Sequence, residues 1–427
     1  MKSILTAIKG KGFLDFLRRG TMIVTRYGGT PQKMDRALAQ FAAILARFEC
    51  GATLPITAVA LGRNPHIIAK YLARGIEFAV HGYRHIDHLG LSKTEQLAQF
   101  TRARRIFAQA GIDSLGFRCP YLRGDADTWA ALQQLGFVYD SSQGLAWDVV
   151  DGYETPAYRH VLNFYGAESA KDYPSLPRIE DRLIRIPYSL PDDEALIERL
   201  DLETAGQMNA LWRAILKRTW ELGELFTLGL HPERIADCQE PLSTVLAQAR
   251  SFTPHVWIAR LDEIATWWRA RTAATAEVSD VDGGGLHLTV AGPEGTMVLA
   301  RAVRVDMPTL PWADGYRQVQ GTTFTIHAPL WPFIGLAPGV SPELADFVRQ
   351  QGYIVQVSEQ SHLYAFYFDQ VDFSPEHERR LLDQIEGSDR PLVRLGRWPN
   401  GAHSALAITG DIDALTLWDY GLRSLGK

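Results

Sequence analysis

The residue types best suited to chemistry stand in the stretch His81-Gly-Tyr-Arg-His85-Ile-Asp87-His88. Two imidazoles four positions apart can point at a common centre, the arrangement that a borderline-soft divalent metal needs from neutral nitrogen donors. The pair follows the apolar run Ile76-Glu-Phe-Ala-Val80, which has the length and composition of a buried strand, so the histidines emerge where that strand ends. Taken alone, they read equally well as capped or solvated histidines at a helix start. Three further apolar runs end in the same manner, one at Arg118, one at His231 and one at Asp411 and Asp413. If these strands are parallel members of one barrel, their ends face a common bowl. Two histidines and a carboxylate would then hold a metal with open positions for water and substrate oxygen. A second carboxylate would serve as base and a separate histidine would protonate a leaving group.

The elements that must position these groups alternate along the chain. Met22–Tyr27 reads as a short strand, Pro31–Phe48 as a helix, Thr53–Leu61 as a strand, and a helix opens at Pro65 and ends before Gly75. Ser92 and Glu95 have the capping-box spacing and open a helix that runs to Ala110. Ser114–Phe117 is a strand leading into Arg118-Cys-Pro-Tyr121; a helix Asp127–Leu135 and a strand Phe137–Tyr139 follow. Residues 141–180 read as a long aromatic-bearing loop over the open end of the strands. Arg182–Ile186 is a strand candidate running into Pro187–Asp193, followed by a helix Ala205–Leu222, a strand Glu224–Leu230, a strand Val256–Ala259 and a helix through Trp267 and Trp268. This alternation describes an α/β barrel or a layered parallel sheet, with strand order not legible. The composition changes near residue 273. Gly283–Gly285 is a turn, Leu286–Val290 and Met297–Val303 alternate as antiparallel strands do, and an α+β stretch fills 307–390 before a last buried-strand pattern at Ala405–Thr409.

Bulk properties exclude several classes. The 427 residues are 46% apolar and 22% charged, as expected of an ordinary globular protein. A net charge of −5 argues against a general nucleic-acid binder. Three cysteines, Cys50, Cys119 and Cys238, form no C-x-x-C pair and fit a reducing compartment. No run suits a signal peptide or a membrane span, so a cytoplasmic location is expected. The basic and apolar residues 1–19 leave peripheral contact with an anionic membrane as an alternative to a helix packed on the domain.

His81-Gly-Tyr-Arg-His85, Arg118-Cys-Pro-Tyr121 and Leu228-Gly-Leu-His231-Pro resemble the second, third and fifth motifs of the polysaccharide deacetylases, carbohydrate esterase family 4. The resemblance spans roughly residues 21–270. The family's first motif, an acidic end of the first barrel strand, should fall at Thr25–Gly29, where Tyr27 and Gly28 occupy the acid positions. The C-terminal Ala-Ile-Thr409-Gly-Asp411-Ile-Asp413-Ala resembles that missing motif. The implied fold is a distorted (β/α) barrel of the polysaccharide-deacetylase type, circularly permuted, with a smaller β-rich and α+β addition. The implied division is an amphipathic segment 1–20, a barrel 21–273, a strand segment 274–306, a small α+β module 307–399 and a completing strand 400–427. Permutation is physically cheap because domain termini lie at the surface.

By resemblance Asp413, His81 and His85 would bind a divalent metal, zinc first, with cobalt, nickel, manganese or iron as alternatives. Asp411 would be the base, Arg118 would orient it, His231 would be the acid, and the backbone N–H of Tyr121 would help hold an oxyanion. Asp140 is a candidate tether for Arg118. Tyr121, Trp147 and Asp192 are the candidates for substrate contact. Asp87 and His88 form an alternative ligand pair with His85, and Trp267 and Trp268 are more simply core. The implied activity is hydrolysis of N-acetyl or O-acetyl groups of a glycan or its precursor. Two rivals are a silent glycan-binding scaffold, which truncation after Gly401 would leave folded, and an amidohydrolase of a small C–N compound. The oligomeric state stays open, as does whether the last strand enters its own barrel or a neighbour's.

Overall fold

The computed structural model describes residues 26–424 apart from 151, 203, 282 and 283. The expected segment 1–20 and residues 22–25 of the expected strand Met22–Tyr27 lie outside these residues. The strands around the site are β1 (Ala52–Ile56), β2 (Ile76–Val80), β3 (Gly116–Phe117), β4 (Tyr139–Asp140), β5 (Leu183–Arg185), β6 (Tyr188–Leu190), β7 (Leu225–Gly229), β8 (Val256–Ile258) and β9 (Ser404–Thr409), all but β6 in the main sheet. Hydrogen bonding runs β7-β9-β1-β2-β3-β4-β5, all parallel, with β8 also paired to β9. The strand Arg178–Glu180 lies antiparallel on β5. β6 belongs to a small parallel sheet with Gly144–Ala146, yet Ser189 Oγ accepts from the Thr227 N–H of β7 at 3.3 Å. That contact brings β6 beside β7, across from the β4–β5 end of the ladder.

Every residue of β1, β7 and β9 is buried, as expected of parallel strands covered on both faces. Along β9 the period is two: Leu406 and Ile408 join the core packed by the surrounding helices, whereas Ala405 and Ala407 face a second core with Tyr139, Ile184, Trp268 and Trp398. Helix-forming segments follow the expected signals at Gln32–Arg47, Lys93–Gln109, Ala126–Gln134 and Ala205–Glu221, with capping boxes at Ser92, Asp125 and Thr204. Three expectations fail. Ala58–Arg63 is helical, not strand, because the chain turns at Thr57 once the β1 ladder ends. The presumed loop 141–180 carries a helix, Pro156–Tyr165, capped by Thr155 and ended by Gly166 in the left-handed region. A long helix, Ile235–Ser251, follows His231 and has no counterpart in the sequence reading.

Residues 274–399 form interleaved sheets. Gly285–Ala291 pairs with Thr275–Val281 and Thr323–His327, and Val298–Arg301 pairs with Arg317–Val319 and Leu392–Leu395. Ladders therefore cross the expected division at 306/307, and the two expected segments share one set of sheets. This added module docks on the main parallel sheet and its helices through Trp267, Trp268 and Trp398 and through the buried pair of Arg379 and Glu224. Among the described residues, no helix is long and apolar enough to cross a membrane.

Because β9 is flanked by ladders on both sides, its loss opens the middle of the sheet. Burial of Leu406 and Ile408 alone is worth roughly 1.5–3 kcal/mol each. Truncation after Gly401 should therefore destroy cooperative unfolding in circular-dichroism melts instead of leaving a folded scaffold. A truncated chain melting within about 5 °C of the full chain would contradict this pairing.

Candidate metal and acid–base site

Backbone hydrogen bonds continue the ladders just past the strand ends where the candidate groups stand. His81 N–H donates to Ile56 O (2.9 Å), Arg118 N–H to Val80 O (2.9 Å), Ser141 N–H to Phe117 O (2.9 Å) and Leu230 N–H to Thr409 O (2.8 Å). The β9–β1 pairing continues beyond Thr409: Ile412 N–H donates to Pro55 O at 2.7 Å and Thr57 N–H to Ile412 O at 3.3 Å. Ile412 is fully buried, so the alternation of extended backbone turns Asp411 and Asp413 to the same opposite side. Gly410 permits this approach, since a Cβ there would lie 1.6 Å from Leu230 O.

The two acids reach the histidines within a single chain. Asp413 Oδ1 lies 3.5 Å from His81 Nε2 and 3.3 Å from His85 Nε2, and ligand atoms of these three residues all lie within 4.8 Å of one another. His81 Nδ1 lies 2.9 Å from the Arg118 carbonyl. Donation there places a proton on Nδ1 and leaves the buried Nε2, which has no hydrogen-bond partner, as the atom directed toward Asp413. Two neutral nitrogens and one carboxylate oxygen so arranged fit a divalent metal with further positions open.

Asp411 is held by Arg118, whose Nη1 donates to Asp411 Oδ1 at 2.8 Å and to Thr409 Oγ1 at 3.0 Å. The fully buried guanidinium also donates to Ser141 O (2.9 Å) and Ser141 Oγ (3.1 Å) and lies over the Tyr188 ring. The expected tether Asp140 is turned elsewhere: its carboxylate takes Arg185 Nε at 2.9 Å, and Ser141 does the tethering instead. That follows from period two, because Asp140 ends β4 on the face opposite Ser141.

His231 stands across the cavity. Its Nδ1 lies 2.7 Å from Asp193 Oδ1, and its N–H donates to Asp193 Oδ2 at 3.0 Å. Burial alone would push the imidazolium down, but the charge and hydrogen bond of fully buried Asp193 outweigh it and hold His231 up at about 10. Behind it Glu233 receives Tyr27 Oη at 2.9 Å and pairs with Arg26. Tyr27 thus occupies the expected first-motif position as a prop for the His231 loop.

The cavity is lined by His85, Tyr121, Tyr188, Asp192, His231, Asp411 and Asp413, together with Leu122, Tyr165 and Glu194. Tyr121 packs edge-on against His85, ring centres 4.5 Å apart, and has φ +60°, a left-handed conformation that costs a non-glycine residue about 1–3 kcal/mol. Asp192 accepts from Tyr188 Oη (2.9 Å); burial and the neighbouring Asp193 push its carboxyl up to about 6. Trp147 is not brought here. It is 2% exposed in the core with Nε1 directed at Ser189 Oγ, so its expected substrate contact is corrected. Nor are Asp87 and His88 ligands: Asp87 pairs with Arg123 at 3.2 Å, and His88 packs between Phe100 and Phe117, where burial pushes it down to about 3. Asp193, Tyr165, Tyr188 and Glu194 were missed; the doubled acid Asp192-Asp193 after a strand pattern was the available signal for the first.

Residues 29–139 match the sequence model of the polysaccharide deacetylase family. That span contains His81, His85, Arg118 and Tyr121. Among solved structures, a protein of Mycobacterium smegmatis assigned to the polysaccharide deacetylases is 22% identical, over 58% of this chain and 81% of that one, with a TM-score of 0.44. PuuE allantoinase is 21% identical over 55% and 72%, TM-score 0.44. A protein of Pseudomonas aeruginosa PAO1, also assigned to the polysaccharide deacetylases, is 22% identical over 55% and 73%, TM-score 0.44. No curated protein sequence matches the chain.

The folded-state His231 value lies above the ordinary 6.5, so its ionisation favours folding fully below pH 6.5 and loses that contribution as pH rises through about 10. An NMR imidazole titration should find His231 protonated through pH 8, and Asp193→Asn should drop it to the ordinary value or below. A wild-type midpoint near 6.5 would contradict the pairing.

Proposed function

We propose that the protein, whose residues 29–139 match the sequence model of the polysaccharide deacetylases, is a metal-dependent hydrolase removing N-acetyl or O-acetyl groups from a glycan or glycan precursor. The observation that carries this is the placement of Asp413 3.5 and 3.3 Å from His81 and His85, with Asp411 beside it on Arg118. His81, His85 and Asp413 would hold the divalent ion, with zinc the first candidate for this donor set. Bound there, the ion would supply Lewis acidity toward the acyl oxygen and lower the pKa of an attacking water.

The chain's own groups do the rest. Asp411, fixed by Arg118, takes the proton of the attacking water. Its position is set by a guanidinium with four hydrogen bonds of 2.8–3.1 Å, so little reorganisation accompanies the transfer. The Tyr121 peptide N–H, in its constrained turn, is the proposed donor to the developing oxyanion. His231, kept protonated by Asp193, gives its proton to the departing amine or alcohol. Asp192 and Tyr188 line the wall against which the sugar is held.

A neighbouring groove of about 400 Å³ shares Leu122 and Tyr165 with this cavity and carries Trp129, Phe164, Gln143 and Asn163. Aromatic faces interleaved with amides suit a sugar better than a small nitrogen compound. The scaffold reading drew on the missing acids at Tyr27 and Gly28; the C-terminal acids beside His81 favour an enzyme. We read the chain order as a circular permutation of the family barrel. A cytoplasmic location belongs to the same reading, supported by three free cysteines.

Acetate release from acetylated chito-oligosaccharides tests the assignment. Asp413→Ala should lose the metal, whereas Asp411→Asn should keep it while turnover falls roughly 100- to 10,000-fold. Turnover near wild type in Asp411→Asn would sink the mechanism.

A further inference from the structure

A second cluster of charge lies at the other end of β9, where His403 and Ser404 enter the sheet. Arg271, Arg394 and Arg397 are 1, 4 and 5% exposed between the barrel and the added module. Arg271 Nη2 donates to the Gln350 carbonyl and Arg397 Nη1 to the Leu222 carbonyl at 3.1 Å. Nε and Nη1 of Arg271, Nε and Nη1 of Arg394, and Nε and Nη2 of Arg397 make no hydrogen bond.

The acids present are too few for these cations. Glu386 lies 3.4 Å from Arg394 Nε and 3.9 Å from Arg397 Nη2, and its oxygens already receive Tyr316 Oη at 2.8 Å and Tyr353 Oη at 2.5 Å. It also lies 3.7 Å from Arg301, whose nitrogens are met by the carbonyls of Ile385, Glu386 and Arg390. Asp314, half in water, is the other acid turned to the cluster, 3.4 Å from His403 Nε2. Burial, with the charges of Arg394 and Arg397, pushes His403 down to about 3, so it adds no charge at neutral pH. The same causes lower Arg271 only to about 9, which leaves it cationic. Four guanidiniums thus share two carboxylates, one of them half solvated.

Buried charge persists where a counter-charge and hydrogen-bond partners meet it. Water could satisfy the open donors but would not offset the charge. Planar guanidinium forks match the oxygens of a tetrahedral anion. Gly352, at φ +87°, packs closely here: a Cβ there would lie 2.8 Å from Leu395 O and 3.0 Å from Arg271 Nη1. We propose that the open nitrogens of Arg271, Arg394 and Arg397 bind a tetrahedral oxyanion, inorganic phosphate or sulfate, which fastens the added module to the base of the barrel.

The test uses the full chain, titrated calorimetrically with inorganic phosphate, with sulfate and with a hexose phosphate, at ionic strength fixed with chloride. Phosphate or sulfate should bind saturably at one site per chain and raise the melting temperature. Because the arginines are buried, the free ion should bind and the esterified phosphate should not. Arg271→Gln and Arg397→Gln should weaken binding at least tenfold, whereas Arg380→Gln on the exposed surface should not. Absence of saturable binding of both free ions to the wild-type chain would overturn the proposal whatever the variants do. Equal binding by the hexose phosphate would assign the site to a phosphorylated ligand reaching it from solvent and contradict the enclosed ion.

Discussion

The two-sided parallel pairing of Ser404–Thr409, between Ala52–Ile56 on one side and Leu225–Gly229 on the other, is the constraint on which the site depends. Without it the histidines and the acids would not meet. The pairing does more than bring the chain end near. By continuing through Ile412 it fixes the residue parity, and parity sends Asp411 and Asp413 to one side while Ile412 is buried on the other. A slip of one residue would put Ile412 in the bowl and both carboxylates in the core. Gly410, pressed on Leu230 O, marks the place where a side chain would block that register.

The groups around the bowl are paired so that each side chain has one available geometry. Arg118 is spent on Ser141, Thr409 and Asp411; His81 Nδ1 on the Arg118 carbonyl; His231 Nδ1 on Asp193. Each pairing leaves one atom, Asp411 Oδ2, His81 Nε2 or His231 Nε2, as the end directed to chemistry. Buried ion pairs contribute little net stability because desolvation offsets attraction. Their effect here is orientation. The arginine cluster at the base of the barrel lacks this one-to-one matching, which is why it points to an additional anion rather than to a second reaction centre.

The site was legible in sequence wherever a chemical residue closes an apolar run. Val80 before His81 and Phe117 before Arg118 end strands, and Gly229 and Thr409 end theirs two residues before His231 and Asp411. The strand order was not legible, since nothing local tells β9 to lie beside β1. Asp193 was missed as the partner of His231 because 38 residues separate them and only the fold makes them neighbours. Asp140 was misjudged through strand parity, which shifts with a single residue. Trp147 misled for another reason: an aromatic in a segment that reads as loop suggested a sugar platform, but the segment is built on Gly144–Ala146 and Pro156–Tyr165, and its tryptophan fills their core. The helix Ile235–Ser251 was hidden by Pro241, which sits inside it.

The central claim is spatial, and anomalous diffraction from crystals of the full chain grown with zinc addresses it most directly. The account predicts one strong peak within coordination distance of His81 Nε2, His85 Nε2 and an Asp413 oxygen of the same chain, with Asp411 beside it on Arg118. A peak held by the histidines with Asp413 remote, or no peak between these residues, would contradict it.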